Sequence, residues 1–264
     1  TALVTRSEDH VLAEHLLGAK NVHHLRLGVD KAVFGPHRAD RGGVKAAYRI
    51  PADRIVVLFV GRIDVGKNIH TLASAMERVI GRGVPLHLVA AGLGPATEEV
   101  KNRLGDHVSL PGFVPPGDLA KLYASVDCLA LSSEVEIRSM AGVEAMASGC
   151  PVLVSKQSGV AELFDHTPAM RTVRSGEDNW AEALSSFAAA PERRDEMRAA
   201  ALDYSRNHLA SWRDVLAEDL FAVWKDVSGR VIGAGEHNQN IPPKSGNVTT
   251  LGGRQYQLSG QRRA

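Results

Sequence analysis

Glu136-Ile137-Arg138-Ser139-Met140-Ala141-Gly142-Val143-Glu144-Ala145-Met146-Ala147-Ser148-Gly149-Cys150-Pro151-Val152 sets two carboxylates eight positions apart, the second inside a run of small and apolar residues. Ala141 to Ala147 has no polar face except Glu144, and a helix that is apolar all round is normally buried. A glutamate in such a place needs partners. Gly149 suits the position just past a helix end, and Pro151 stops the helix. Val152 to Ser155 then reads as a buried strand.

Eight residues of continuous helix would turn Glu144 well away from Glu136. A shared site therefore requires Glu136 to precede the helix, with Ser139 as its N-cap and Met140 near its start. Glu144 would lie in the second turn and lean back toward the mouth. Free N–H groups and the positive dipole end at that mouth suit a phosphate. One carboxylate on a sugar and one on a ribose diol, with phosphate between them, fits this geometry. The alternative is a solvated loop glutamate and a second one paired to a structural arginine.

Outward from this stretch the pattern alternates. Ile55–Val60, Leu86–Ala91, Val108–Leu110, Cys128–Leu131, Val152–Val154 and Met170–Val173 read as six strands. Helices are expected between them, at 69–80, 96–104 and 118–124 among others. The expected fold class is α/β: a Rossmann-like open parallel sheet with helices on both faces, followed by C-terminal helices at 178–188, 191–208 and 212–227. Residues 1–45 read as a junction segment with a leading strand and helix, then a strand over Asn21 to Leu27, with Phe34 to Gly43 loop-like. Residues 46–228 form the sheet domain, and 229–264, rich in Gly, Asn, Gln and Thr, read as a flexible tail.

The balance of 31 basic against 30 acidic residues among 264 gives no argument for nucleic acid. Cys128 and Cys150 lie in apolar, strand-like surroundings, so buried reduced thiols are expected and no zinc spacing exists. No membrane-length apolar run or signal peptide is evident, which points to the cytoplasm and leaves peripheral contact at the inner membrane face open.

Ligands of open parallel sheets bind beyond the carboxyl ends of the strands. After the first core strand comes Gly61-Arg62-Ile63-Asp64-Val65-Gly66-Lys67-Asn68, where Arg62 and Lys67 beside a helix start suit a diphosphate. Otherwise this is a surface loop in which Arg62 pairs with Asp64. The second strand leads to Gly92-Leu93-Gly94-Pro95, whose glycines permit close backbone approach but do not complete a dinucleotide fingerprint. Ser158-Gly159…Glu162 is a further glycine turn opening a short helix. His107 and His166 have no partners at motif spacing and are expected to be structural or surface residues.

Taken in order, Gly61-Arg62…Lys67-Asn68, Gly92…Gly94-Pro95, Gly112-Phe113-Val114, Glu136…Glu144 through Pro151-Val152, and Ser158-Gly159…Glu162 resemble the C-terminal donor-binding domain of GT-B glycosyltransferases, specifically the retaining family four. Gly28-Val29-Asp30…Phe34 resembles that family's domain junction. The resemblance implies that Arg62 and Lys67 hold the diphosphate of a UDP- or GDP-linked sugar and that Glu136 contacts the transferred sugar. It implies that Glu144 takes the ribose diol and that Gly94 and Pro95 lie near the base or ribose. Gly61, Gly92, Ser139 and Met140 complete the donor site, and no metal or other cofactor is required. The acceptor is unidentified: a sugar, a lipid-linked group or a small molecule. Where the family has a Phe-Gly pair this sequence has Arg138-Ser139, which changes charge and shape beside the donor. The family's N-terminal acceptor domain is not within these residues, so a longer or a split enzyme is expected. The competing readings are a non-catalytic nucleotide-sugar-binding or regulatory module and, behind it, an epimerase of the same architecture.

Overall fold

The computed structural model describes residues 1–5, 7–164 and 167–235. A parallel pair, β1 (Ala2–Val4) and β2 (Val22–His24), is joined by helix α1 (Ser7–Leu17). Next come β3 (Gly28–Val29) and α2 (Arg41–Ala47). The core follows as β4 (Ile55–Val60), α3 (Ile69–Ile80), β5 (Leu86–Ala91), α4 (Thr97–Leu104), β6 (Val108–Gly112), α5 (Pro116–Ser125) and β7 (Cys128–Leu131). It continues as α6 (Met140–Ala147), β8 (Val152–Ser155), α7 (Val160–Leu163), β9 (Met170–Val173), α8 (Glu177–Ala188) and α9 (Pro191–Asn207). β10 (Ala210–Ser211) returns to pair with β3, and α10 (Trp212–Asp214) leads through a π-helical turn, Val215–Leu220, into α11 (Phe221–Gly235). Thr1–Ala222 make one compact unit, and from Val223 the chain is assigned to a second.

β4 to β9 form one all-parallel sheet in the order β6-β5-β4-β7-β8-β9. The four inner strands, β5, β4, β7 and β8, bury both faces, so alternate residues serve two cores. On β4, Val56 and Leu58 enter the layer that also holds Tyr123 of α5, Val143 and Met146 of α6 and Ala201 of α9. Val57 and Phe59 enter the opposite layer, with Leu72 and Met76 of α3, Val100 of α4 and Trp180 of α8. The sheet is thus covered on both sides, and the strand order reverses between β4 and β7.

Local chemistry explains how α6 ends. Gly149, at φ +75°, follows the last turn; its N–H reaches Met146 O at 3.1 Å and the Cys150 N–H reaches Ala145 O at 2.8 Å. Those paired bonds form a Schellman motif, which satisfies carbonyls the helix would otherwise orphan. Both cysteines are free and buried, and burial pushes the Cys150 thiol up to about 12.

Three local expectations change. Residues 41–47 are helical although two glycines and a loop-like reading spoke against it. Asp40 caps α2 by accepting from Gly43 N at 2.8 Å, and a Cβ on Gly43 would lie 2.1 Å from that carboxylate. The strand expected over Asn21 to Leu27 is confined to Val22–His24 because its partner β1 offers three residues. The last helix runs on through Gly229–Gly235, which composition had placed in the tail; no proline interrupts it there. Residues 236–264 of that tail lie outside the described residues, as does His166.

His87 on β5 is buried, with Ser109 Oγ at 2.8 Å from Nε2 and an Arg54 guanidinium nitrogen 3.2 Å from Nδ1. Nδ1 faces a donor that is always charged, so the ring is neutral with its proton on Nε2. Burial, then the charges of Arg54 and His107, lower its pKa from 6.5 to about 4. The unfolded state therefore binds the extra proton first as pH falls. Folding stability from this site is whole above pH 6.5 and drains as pH drops toward 4. Over that window the loss should approach ~3 kcal/mol. Urea unfolding at pH 7.5 and 4.5 should show a smaller pH-dependent loss for His87→Gln than for the unaltered chain.

Candidate functional site

The reversal of strand order opens a crevice above the carboxyl ends of β4 and β7, where open α/β sheets receive ligands. Two loops leaving β4 and β5 form one wall. Gly61 N donates to Ala91 O at 3.0 Å, Ile63 N to Leu93 O at 3.0 Å, and Ala96 N to Ile63 O at 3.1 Å. This backbone zip needs glycine: a Cβ on Gly92 (φ +152°) would lie 1.8 Å from Gly61 O, and one on Gly94 2.2 Å from Ile63 O. The freedom of both glycines is thus spent on approach to the neighbouring loop. Pro95 follows them, exposed. Beside the zip, Val60, Gly61, Ala91, Leu93, Phe113, Val114 and Leu119 line an open, mostly apolar cavity of about 340 Å³.

The other wall is the loop from β7 to α6. Ser132 Oγ donates to Lys67 O at 2.9 Å and Ser133 Oγ to Gly66 O at 3.2 Å, fastening this loop to the one after β4. Asp64 Oδ1 accepts from Lys67 N at 3.0 Å and so holds the turn Val65–Lys67. Asn68 then adopts a left-handed conformation (φ 52°) and donates to Ser132 O at 3.3 Å. Asparagine tolerates that conformation better than other non-glycine residues.

Lys67 and Glu136, 69 positions apart in sequence, meet here: Nζ donates to Glu136 Oε2 at 2.6 Å, with both side chains part-buried. The Glu136 carbonyl accepts from Gly159 N at 2.8 Å and from Ser158 Oγ at 3.2 Å, so the glycine turn after β8 fixes that loop. Arg62 reaches outward, 76% exposed, and pairs with Asp64 at 3.0 Å, the bland alternative allowed by its sequence neighbours.

Ser139 is the N-cap of α6, accepting from Gly142 N at 3.3 Å, and Met140 is the first helical residue. Ser139 sits at φ −133°, ordinary extended backbone, so serine in place of glycine carries no strain here. Successive side chains alternate sides on extended backbone. Ser139 turns in to cap the helix, while Arg138 lines a separate cleft with His24, Arg26, Leu27, Tyr204 and His208. Arg138 thus places its charge on the β2–β3 and α9 side of the chain. Glu144, one turn into α6, is half-buried. Burial raises its pKa above the usual carboxylate range, opposed by the Tyr123 hydroxyl.

Sequence reasoning singled out the two glutamates, the two cations and the capping serine, and the structure joins Lys67 to Glu136 and Ser139 to the helix mouth. Asn68, Ser132, Ser133 and Tyr123 went unremarked as site builders. An asparagine after a tight turn was a readable signal for the left-handed residue; two serines ending a strand were not. Glu162 is exposed on the four-residue α7. Among the described residues no cluster of three His, Cys, Asp or Glu could hold a metal ion, and no helix is long and apolar enough to cross a membrane.

A six-stranded doubly wound sheet with a cation, a carboxylate and a helix mouth at its switch point defines a nucleotide-fold domain. Residues 40–203 match the family model described as "Glycosyl transferases group 1". The chain belongs to that family and has the C-terminal domain of the GT-B fold. A D-inositol 3-phosphate glycosyltransferase of Segniliparus rotundus is 31% identical over 221 residues, covering 76% of this chain and 49% of that protein. One from Rhodococcus erythropolis is 30% identical over 226 residues, covering 80% and 50%. The chain thus spans about half the length of these curated relatives. Among solved structures, sucrose-phosphate synthase from Thermosynechococcus elongatus superposes with a TM-score of 0.70 at 21% identity, covering 88% of this chain and 58% of that one. Anabaena HepE in complex with UDP and glucose gives 0.67 at 16%, covering 87% and 62%. The C-terminal domain of LpcC, a group 1 family protein from Francisella tularensis, gives 0.61 at 19%, covering 69% of this chain and 99% of that domain.

The zip makes a sharp stability prediction. Gly94→Ala forces backbone apart and should cost at least about 1–3 kcal/mol. Gly117→Ala, where nothing lies within 4 Å of a new Cβ, should be neutral or slightly stabilising. Chemical denaturation of the two variants side by side checks this.

Proposed function

We propose that this chain is the donor half of a retaining glycosyltransferase: it binds a nucleotide diphosphate sugar, and the sugar passes to an acceptor held by an N-terminal domain. The observation that carries the reading is the meeting of Lys67, Glu136 and the α6 mouth at the switch point. In the proposed complex the diphosphate lies at the mouth of α6, against the N–H groups that precede its first intrahelical bond. Lys67 and Arg62 swing from their carboxylate partners onto phosphate oxygens. Each is already held near the crevice, so the reorganisation is small. Their charge, with the helix dipole, offsets the negative charge that develops on the leaving nucleoside diphosphate as the glycosidic bond breaks. Glu136, released from Lys67, receives hydroxyls of the transferred sugar. Glu144 receives the ribose diol, and the base enters the apolar cavity beside Leu93 and Phe113.

Uridine is the base we favour, because the structurally similar HepE is complexed with UDP. The names of the sequence relatives make a polyol phosphate the first acceptor to try. The acceptor domain is proposed to continue from β1, α1 and β2, a two-strand unit whose Val11, Leu12 and Leu16 are exposed. The competing reading, a non-catalytic nucleotide-sugar module, draws on Arg138 and Ser139 in place of the family's Phe-Gly. Transfer assays on a protein that includes an acceptor domain separate the two, and the anomeric configuration of the product, read by NMR, tests retention.

Binding is measurable on this chain alone. Calorimetry should give UDP a lower Kd than GDP or ADP. Lys67→Ala should weaken UDP binding roughly ten- to hundredfold, the worth of about 1.5–3 kcal/mol for a charged contact. Unchanged affinity in that variant would remove the clamp and, with it, the donor reading.

A further inference from the structure

Tyr123 is a buried polar group with no structural use for its hydroxyl. Its side chain, on α5, is wholly buried. The ring packs edge-on against Phe34 at 6.1 Å and 61°, which fixes the direction of the hydroxyl. That hydroxyl is shut off from water and completes no hydrogen bond within the protein. Buried hydroxyls are almost always bonded, and a phenylalanine would fill this space without the desolvation penalty. The polar group that Tyr123 faces is the carboxylate of Glu144 on α6, the helix packed against α5.

We propose that Tyr123 is a positioning residue for donor binding: its hydroxyl takes one lone pair of the Glu144 carboxylate from behind and aims the others at a vicinal diol of the ligand. The proposal rests on Glu144 receiving the ribose diol. An ionised carboxylate offers about four acceptor sites, enough for two diol hydroxyls and one phenol. A protonated one loses acceptor capacity and would bind the diol poorly.

Electrostatics supports the same arrangement. Burial pushes Glu144 toward its neutral form, and the Tyr123 hydroxyl beside it opposes that shift. Among the described residues no other ionisable group acts on Glu144, from α5, α6 or the strands beneath. Cys150 lies beside Tyr123 and stays neutral, its thiol pushed up to about 12. Tyr123 is itself held far above its usual range, first by burial and then by the Glu144 charge, so it remains a donor throughout.

UDP affinity from pH 5 to 8, measured by calorimetry for this chain, Tyr123→Phe, Glu144→Gln and the double variant, tests the proposal. Tyr123→Phe keeps the ring on Phe34, so its melting midpoint should not fall. It should weaken UDP binding roughly three- to tenfold near pH 6. Its acid limb should move to higher pH, and the deficit should shrink toward pH 8. In the Glu144→Gln background, adding Tyr123→Phe should change nothing further. A Tyr123→Phe profile that coincides with the unaltered chain, or a pH-independent loss that persists beside Glu144→Gln, would overturn the positioning role and leave the ribose reading standing. If Glu144→Gln alone leaves UDP affinity unchanged, the ribose reading falls and takes this proposal with it.

Discussion

The backbone zip between the loops after β4 and β5 is the constraint on which the crevice depends. Three main-chain hydrogen bonds, from Gly61, Ile63 and Ala96, hold those loops against each other at the carboxyl edge of the sheet. They place Lys67 where Ser132 and Ser133 can fasten its loop to the one after β7. Loops that would otherwise move independently become one wall with a fixed floor. A site built this way loses little conformational freedom when a ligand arrives, so more of the contact energy is left for affinity.

The two cations of the crevice are both paired. Lys67 faces Glu136 and Arg62 faces Asp64, so each cation carries a resident carboxylate. The two pairs differ in character. Arg62 is exposed, and an exposed pair is weak in water and easily exchanged. Lys67 and Glu136 are part-buried, so parting them without a replacement charge costs more than parting the exposed pair. An anion that gives Lys67 a new partner also needs a hydroxyl donor to satisfy Glu136. A phosphate joined to a sugar meets both demands in one molecule.

Much of the sheet was legible because its inner strands are buried on both faces, which writes them as apolar runs such as Ile55–Val60 and Cys128–Leu131. The end of α6 was legible because Gly149 and Pro151 each have one strong conformational meaning. α2 was not, since its cap works through space that Gly43 leaves open, and glycine read alone argues against a helix. At the site, charged residues announced themselves by type, but their partners did not. The Lys67–Glu136 contact joins positions 69 apart and depends on the strand order, which local pattern does not encode. Gly92 and Gly94 were legible as places of close approach, and only the fold reveals that the approaching group is the next loop.

Arg138 and Ser139 illustrate how backbone direction decides what a substitution means. Read along the chain, two residues that replace a Phe-Gly pair next to a site glutamate both fall on the ligand. The extended backbone at Ser139 separates them. Serine at that position gains a hydroxyl that accepts from Gly142 N, so the mouth of α6 is held by a side chain rather than left to water. The cap occupies one of the donors that would otherwise face an anion, yet leaves the first two helical N–H groups beyond its reach. Arg138, turned toward His24 and His208, instead raises the positive charge of the cleft shared with the residues after β2 and at the end of α9. His24 feels it directly: burial first and Arg138 second lower its pKa. The departure from the family's pattern thus reinforces the helix mouth on one side and retunes the junction on the other, two separate consequences of neighbouring residues.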